Sequence, residues 1–324
     1  MLRHWYVITL DENSEGVVGL KRSAVEAEAE LHVFIGVGYK QDDSKAALNW
    51  SAATAIVASA APALVRIPPP RTKEAGVTLS HTLLMLQIAR ERSGDEAVLI
   101  FEDGVVLQPR FADNLRETLT MLPTSWQLFN LNTHRPFGWR RASVNLSVHP
   151  PQQNAPSLHE YTLFEWHRGA PLATGMGCVH GSAPMMNLFS SGTVWRVSFI
   201  RRYIEMASHM FDADAGGTGT CHGKFSCLHA MRFRTLGTMT FDRVLSETMR
   251  RFGPPGAAFG LDVPEAACFS SGSGKHSTIA LPWHLSVDSR ARIGDVAEYD
   301  ALCSALRDWG EMKLACFEPL TIHH

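Results

Sequence analysis

The apolar run AVLIF at residues 97–101 is the feature that most constrains the fold. A strand with one face in water alternates apolar and polar residues, whereas a near-continuous apolar run is typical of a strand buried on both faces of a parallel sheet. Burial on both faces requires helices on both sides of that sheet. The run therefore predicts an α/β architecture in which the next two residues, Glu102 and Asp103, stand at the carboxyl end of a central strand.

The flanking segments predict the same class. Residues 6–10 (YVITL) and 31–37 (LHVFIGV) have strand composition, and residues 17–30 between them have a helix-like mix of Ala, Glu and Leu. Residues 77–92 carry apolar side chains at helical spacing. We therefore predict an α/β fold with a mostly parallel central sheet and helices on both faces. No linker divides the 324 residues, which favours a single domain over 1–324.

A long segment, residues 133–185, departs from this regularity. It is rich in Pro, His, Asn and Ser, with scattered aromatic residues. Because a loop of this length within a compact domain is usually functional or an insertion, we predict an irregular insertion or lid. Regular structure is predicted to resume with a strand near 192–197, a helix near 198–208 and a helix over 241–251.

The charge balance and the hydropathy narrow the possible partners. The chain has 30 basic and 32 acidic residues and a formal net charge of −2, which gives no electrostatic reason to expect nucleic acid. No apolar run approaches the roughly 18 residues of a membrane span. The N-terminal MLRHWYVITL is too short and too mixed for a signal peptide. We therefore expect a soluble, cytoplasmic protein with no integral membrane segment.

Glu102 and Asp103 are the first candidates for a functional site, because ligands of open α/β sheets bind outside the carboxyl ends of the strands. Three roles are open to them. They can cap a neighbouring helix or close a turn through Gly104. They can hold a divalent cation that in turn holds a diphosphate. They can also accept hydrogen bonds from ribose or sugar hydroxyls.

Four segments occur in a recognisable order over roughly residues 5–131. They are YVITLDEN (6–13), LHVFIGVGYKQD (31–42), KEAGVTLSH (73–81) and AVLIFEDGVVL (97–107). Together they resemble glycosyltransferase family 25, the lipooligosaccharide-synthesis and procollagen-galactosyltransferase type. Weaker similarity continues in SSGTVWRVS (190–198) and MTFDRVL (239–245).

This resemblance implies a GT-A fold and an enzyme that transfers a hexose from a nucleotide diphosphate donor, usually a UDP-sugar. The acceptor is a hydroxyl of a glycan or a protein-linked glycan, and the anomeric carbon is inverted. The acids after the central strand contact the ribose and the donor sugar, and they bind Mn²⁺ or Mg²⁺. The implied donor-binding residues are Thr9, Leu10, Asp11, Lys21, Arg22, Gly76, Ser80, His81, Glu102 and Asp103.

The same resemblance places Asp242 at the later acid of the family, and we predict Asp242 and Asp103 as the catalytic residues, with Asp242 as the base. The alternative for Asp242 is a first-turn acid that caps its helix or complements its dipole. For the acceptor we predict contacts from three tryptophans, Trp195 in the GTVW strand and Trp139 and Trp166 in the irregular segment. The alternative for the aromatic residues of that segment is that they anchor it to the core.

Two departures from the family pattern bear on activity. Gly104 stands where the family has the last acid of E-D-D. The predicted metal ligands are therefore Glu102 and Asp103, with help from Asp242 or from Asp212 and Asp214, and catalysis without a metal stays open. The first loop, DENSEG (11–16), lacks the expected arginines, whose place Lys21 and Arg22 can take. Two other hypotheses therefore stay open: a catalytically silent relative that binds nucleotide sugars or glycans, and an unrelated α/β enzyme that uses a metal to hydrolyse phosphate esters.

Overall fold

The computed structural model describes residues 2–40, 48–105, 107, 111–131, 139–147, 160–166, 190, 192–215, 236 and 240–261. These residues form strands β1 (His4–Thr9), β2 (Glu30–Ile35), β3 (Ala97–Glu102), β4 (Leu128–Asn130), β5 (Trp139–Ser147), β6 (Glu160–Trp166), β7 (Gly192–Arg196) and β8 (Ala258–Leu261). The helices are α1 (Glu15–Glu26), α2 (Trp50–Ala60), α3 (Lys73–Glu91), α4 (Phe111–Met121), α5 (Val197–Ala215) and α6 (Phe241–Phe252), with a short 3₁₀ helix at Pro62–Val65. Within the described ranges, no helix combines the length and the hydrophobicity needed to cross a membrane.

The described strands join one sheet in the order β2-β1-β3-β7-β4-β8-β6-β5. Strands β2, β1 and β3 are parallel, as are β4 and β8. Strand β7 is antiparallel to both β3 and β4, and β6 is antiparallel to both β8 and β5. The predicted α/β class is confirmed, but the sheet is mixed rather than mostly parallel. The direction of a strand is set by the segments that connect it to its neighbours in the sheet, and the apolar pattern of the strand itself does not reveal that direction.

Helices cover both faces of the sheet, as predicted. In β3, Val98 and Ile100 belong to a core shared with α2, α3, α5 and α6, whereas Leu99 and Phe101 belong to a core shared with α1 and α4. Successive side chains of a strand point to opposite faces, so an unbroken apolar run supplies both cores at once. All four side chains are completely buried. The AVLIF run therefore forms a central strand between two helical layers.

Helix α3 lies in one of these layers and carries part of the candidate site. The hydroxyl of Thr72 caps its amino end by accepting a hydrogen bond from the N–H of Ala75 at 3.2 Å. Glu74 in the first turn complements the positive end of the helix dipole. The helix contacts α2, α5 and α6 as well as contributing to the core. This enclosure holds His81, in the third turn, in a buried position.

The segment predicted to be irregular contains two strands. Strands β5 and β6 form an antiparallel pair whose register shifts between Arg141 and Asn145, and β6 extends the sheet beside β8. The prediction is therefore corrected for these residues. Strand β5 ends the described sheet, and edge strands carry many polar residues, which weakens the apolar signal that sequence reasoning uses. The rest of 133–185 lies outside the described residues.

Candidate active site

Three parts of the fold meet at one edge of the sheet. Strands β1 and β3 are parallel, so Thr9 and Glu102 at their carboxyl ends lie at the same edge. Strand β7 runs in the opposite direction, which brings Ser190, two residues before its start, to that edge. Helix α6 begins there as well, with Asp242 in its first turn. The acids after AVLIF thus stand at the strand end, as the sequence predicts.

Glu102 is held by two hydrogen bonds to the same oxygen. Its Oε1 lies 3.0 Å from Nε2 of His81 and accepts a hydrogen bond of 2.7 Å from the hydroxyl of Ser190. Burial alone would raise the pKa of Glu102. The hydrogen bond and charge of His81, the Ser190 hydroxyl and the charge of Lys73 together outweigh burial and hold the pKa below its ordinary value. Glu102 is therefore a carboxylate that stays ionised in a half-buried position.

His81 binds the Glu102 carboxylate from a buried position. Its side chain is 2% exposed, against 27% for Glu102. The ring stacks on that of Phe241, with centroids 4.4 Å apart and planes 7° from parallel. Because an ionised Glu102 only accepts hydrogen bonds, Nε2 of His81 must carry the proton. His81 was predicted to bind the donor. In the structure it orients Glu102 and, through Phe241, connects α3 to the start of α6.

Asp242 has the opposite electrostatic character. Its Oδ1 accepts a hydrogen bond of 2.5 Å from the backbone N–H of Ser190. Burial and the nearby negative charge of Glu102 raise the pKa of Asp242 to about 6, more than the hydrogen bonds from Ser190 and the charge of His81 lower it. Two carboxyl groups in one site thus have pKa values pushed apart, which is the usual arrangement when one must take up a proton and the other must not.

Asp103 is fixed by the end of β1. Its Oδ2 accepts a hydrogen bond of 2.7 Å from the hydroxyl of Thr9, and its backbone N–H donates to the carbonyl of Ile8 at 3.1 Å. The hydroxyl oxygen of Thr9 also accepts the N–H of Asp11 at 3.0 Å. Thr9 therefore orients Asp103 while closing the turn after β1. The predicted donor residues Thr9, Asp11 and Asp103 do lie together.

A divalent cation was predicted at Glu102 and Asp103, and the donor atoms allow a test of that fit. In the described part of the chain these two residues and Asp242 do not form a set of three ligand atoms within 4.8 Å of one another. Mg²⁺ is often held by only one or two carboxylates together with substrate phosphates. Asp103 fits that arrangement, because its hydrogen bond from Thr9 uses Oδ2 and leaves Oδ1 to a ligand. Oε1 of Glu102 is already bonded by His81 and Ser190. Asp103 is therefore the residue that fits a cation shared with substrate phosphates.

Two other predicted donor residues lie in the scaffold beneath the site. The hydroxyl of Ser80 accepts a hydrogen bond of 2.8 Å from the N–H of Val37 and donates one of 2.7 Å to the carbonyl of Gly76. At Gly76 a Cβ would stand 3.0 Å from the carbonyl oxygen of Val37, so glycine lets the loop after β2 approach α3. Both residues fasten that loop to the helix that carries His81.

We expect Ser80→Ala to lower the free energy of unfolding by about 1–3 kcal/mol, because it leaves the buried N–H of Val37 without its acceptor. Urea denaturation measures this change. Thr54→Ala is the matched control: the hydroxyl of Thr54 donates only to the carbonyl of Trp50 in its own helix. Equal losses of stability in the two variants would contradict the role assigned to Ser80.

The remaining predicted donor residues lie beyond the carboxylates. Leu10 is 37% exposed at the end of β1. Lys21 and Arg22 are exposed on α1, where Nζ of Lys21 lies 3.4 Å from the carbonyl of Glu12. The structure thus places the two cations on the helix that begins beside Asp103, not among the carboxylates themselves. Asp11 accepts the N–H of Asn13 and shapes the turn between β1 and α1.

Trp195 is a correction to the predicted acceptor contacts. It lies in β7, in the middle of the sheet, with Val98 and Leu128 as its partners in register, and it is completely buried. Its indole N–H donates to the hydroxyl of Thr193 at 2.8 Å. A side chain without exposed surface has no face to offer a sugar, so Trp195 belongs to the core. Trp139 and Trp166 are partners in the pairing of β5 with β6.

Ser190 and Lys73 are the site residues that sequence reasoning missed. Ser190 joins the two carboxyl groups, since its hydroxyl bonds Glu102 and its N–H bonds Asp242. The available signal was its position at the start of the SSGTVW segment, which resembles a family motif. Lys73 begins α3, and its charge acts on Glu102. It is the first residue of the KEAGVTLSH segment, in which Gly76, Ser80 and His81 are the predicted donor residues.

No family model matches the sequence, and no curated protein matches it. Among solved structures, the apo crystal structure of mouse xyloside xylosyltransferase 1 is similar, with a TM-score of 0.34 and 10% sequence identity. The similarity covers 79% of this chain and 83% of that one. The residues at the carboxyl edge of the sheet, and not this similarity, carry the functional proposal.

Proposed function

We propose that the chain is an inverting glycosyltransferase that moves a hexose from a nucleotide diphosphate donor, a UDP-sugar, to a hydroxyl of a glycan or glycoprotein acceptor. One observation carries the proposal. At the carboxyl edge of an α/β sheet, Ser190 joins an ionised Glu102 to an Asp242 whose pKa is raised to about 6. The family resemblance of the segments that supply these residues supports the same reaction.

The raised pKa suits Asp242 to the role of base. The acceptor oxygen forms a bond to the anomeric carbon, the bond from that carbon to the diphosphate oxygen breaks, and the acceptor proton passes to a carboxylate oxygen of Asp242. A base is most effective when its pKa lies near the working pH, and about 6 meets that condition better than the ordinary 3.8. Attack from the face opposite the diphosphate inverts the anomeric carbon.

The other residues support the donor side. Glu102, kept ionised by His81 and Ser190, is suited to accept hydrogen bonds from sugar hydroxyls and maintains the raised pKa of Asp242. Asp103 is suited to the ribose or to a divalent cation shared with the diphosphate. Such a cation, when bound, supplies positive charge to the leaving group. Lys73 at the start of α3 contributes a further positive charge near the carboxylates.

The proposal is tested by incubating the purified chain with UDP-, GDP- and CMP-sugars, with and without Mn²⁺, and measuring release of the nucleotide. We expect release of UDP from at least one UDP-sugar. Donor binding seen as a thermal shift, with no turnover under any condition, would instead identify a silent nucleotide-sugar-binding relative. Hydrolysis of plain phosphate esters without any response to sugar nucleotides would favour the metal-dependent hydrolase.

For the donor that is turned over, we expect Asp103→Asn to reduce UDP release about 100-fold, in line with the loss of one electrostatic contact to a leaving group. The loss should be smaller at high Mn²⁺ if Asp103 shares a cation with the diphosphate. Asp113→Asn is the control, because Asp113 is 56% exposed on α4 and its ion pair with Arg116 lies on the surface. Unchanged activity in Asp103→Asn would remove Asp103 from the site.

A further inference from the structure

The opposite edge of the sheet holds a second cluster of ligand-type side chains. His4 is the first residue of β1, and Glu30 and His32 lie at the start of β2. The two strands pair in parallel with His4 opposite Glu30, which brings all three side chains together. The length of β1 separates this cluster from the carboxylates by about 16 Å. The proposed transfer reaction makes no use of these residues.

The three ligand atoms form a nearly regular triangle. Nδ1 of His4 lies 3.2 Å from Nε2 of His32, and Oε2 of Glu30 lies 3.4 Å from the first nitrogen and 3.6 Å from the second. Zinc–nitrogen and zinc–oxygen bonds of about 2.0–2.2 Å at tetrahedral angles put neighbouring ligand atoms about 3.3–3.5 Å apart. The triangle therefore has the dimensions of one face of a zinc tetrahedron, before any adjustment of the side chains.

The chemistry of the donors also favours a transition metal over Mg²⁺ or Ca²⁺. Two imidazole nitrogens and one carboxylate oxygen are ligands of Zn²⁺, whereas the hard cations prefer oxygen alone. Behind His4, Oε2 of Glu96 lies 4.0 Å from Nε2, in the direction in which metal-bound histidines commonly meet a carboxylate.

Arg92 is the competitor for this position. Its guanidinium donates to Nε2 of His4 at 2.7 Å and to Nε2 of His32 at 3.2 Å, and its Nε donates to the hydroxyl of Tyr6 at 3.1 Å. The lone pair of His32 that would bind a metal is thus occupied by an arginine hydrogen. Because Nε2 of His4 accepts an arginine hydrogen, the neutral ring carries its proton on Nδ1, which lies in hydrogen-bond distance of His32. Metal binding therefore requires the guanidinium to leave both histidines and the His4 proton to move from Nδ1 to Nε2, and Arg92 sets the affinity by competition.

We propose that His4, Glu30 and His32 form a binding site for Zn²⁺ or a similar transition-metal ion, with Arg92 as the group that the ion displaces. The fourth coordination position is left to water or another ligand. The site ties the first strand to the second, so its occupation stabilises the fold at the edge away from the carboxylates.

Thermal unfolding of the full chain, after treatment with a chelator, tests the proposal with added Zn²⁺ and, separately, Mg²⁺. At a Zn²⁺ concentration about 100-fold above the dissociation constant, we expect Tm to rise by about 5 °C or more, with no effect of Mg²⁺. His4→Gln and His32→Gln should each abolish the rise, and Arg92→Met should produce it at a lower Zn²⁺ concentration. His209→Gln is the control, since His209 is exposed on α5.

Isothermal titration of the same proteins gives the stoichiometry, which we expect to be one ion per chain at this site. Zinc binding that persists undiminished in the His4→Gln/His32→Gln double variant would overturn the proposal and place the ion elsewhere. A response confined to Arg92→Met would overturn it for the natural chain, since the guanidinium would then exclude the ion. All readouts are independent of transferase activity, so neither result depends on the proposed reaction.

Discussion

Replacing Asp242 with asparagine is expected to reduce transfer about 1,000-fold and, at neutral pH, to make the protein more stable. The loss of activity follows from removing the base, whose contribution to such reactions is typically 10²- to 10⁴-fold. Asparagine keeps the oxygen that accepts the N–H of Ser190, so the geometry of the site should survive. The variant thus separates the proton-accepting role from the positioning role of the side chain.

The gain in stability of Asp242→Asn follows from the raised pKa of Asp242 in the folded protein. In the folded protein the pKa of Asp242 is about 6, against 3.8 when the group is unperturbed. Between these values the unfolded chain has lost the proton and the folded chain keeps it, so stability falls as pH rises from about 4 to about 6. One pKa unit corresponds to about 1.4 kcal/mol, so the cost at pH 7 is at most about 3 kcal/mol. Asparagine cannot ionise and avoids that cost.

Two measurements test the role of Asp242 as the base and the cost of its ionisation to stability. The pH profile of kcat/KM for the natural chain should rise about tenfold per pH unit below about 6 and level off above it. The difference in Tm between Asp242→Asn and the natural chain should be several degrees at pH 7.5 and should vanish near pH 4. A variant that retains its turnover would show that Asp242 is not the base. A Tm difference independent of pH would show that its carboxyl group is not under electrostatic strain.

The framework of the site could be predicted from local patterns. The AVLIF run, the spacing in residues 77–92 and the amphipathic segment 241–251 correspond to β3, α3 and α6, because periodicity reports which faces are buried. Helix α3 begins four residues before the predicted segment 77–92, since Lys73 and Glu74 give no apolar signal although Thr72 caps the helix there. The edge position of Glu102 followed directly from the burial of the strand before it.

The connections within the site were not predictable from the sequence alone. Ser190 reaches Glu102 only because β7 is inserted antiparallel between β3 and β4, and strand order is a property of the whole chain. The same insertion buries Trp195, whose aromatic ring at a strand position is equally compatible with a sugar-stacking face. His81 was expected near the donor, but its pairing with Glu102 depends on how α3 packs against the sheet edge. Tertiary packing, rather than local propensity, decides these contacts.

The second large effect is expected at Gly16, in the first turn of α1. A Cβ built on Gly16 would overlap the backbone carbonyl oxygen of Asp103. The obstacle is backbone, which cannot rotate away as a side chain can. Helix α1 can therefore pack this closely against the turn after β3 only if residue 16 has no side chain, and the position of Asp103 depends on that packing.

Gly16→Ala should accordingly destabilise the protein by about 3 kcal/mol or more and displace Asp103 from the carboxylate edge. A misplacement of about 1 Å in a catalytic group can cost about 100-fold in rate, so turnover should fall even in the fraction that remains folded. Gly19→Ala is the matched control on the same helix: nothing lies within 4 Å of its Cβ, and alanine there should stabilise by about 0.5–1 kcal/mol. Urea denaturation gives the change in the free energy of unfolding, and initial rates measured well below the unfolding transition give the change in turnover. If Gly16→Ala matched Gly19→Ala in both, α1 would not pack against Asp103, and the arrangement of the site around that residue would have to be abandoned.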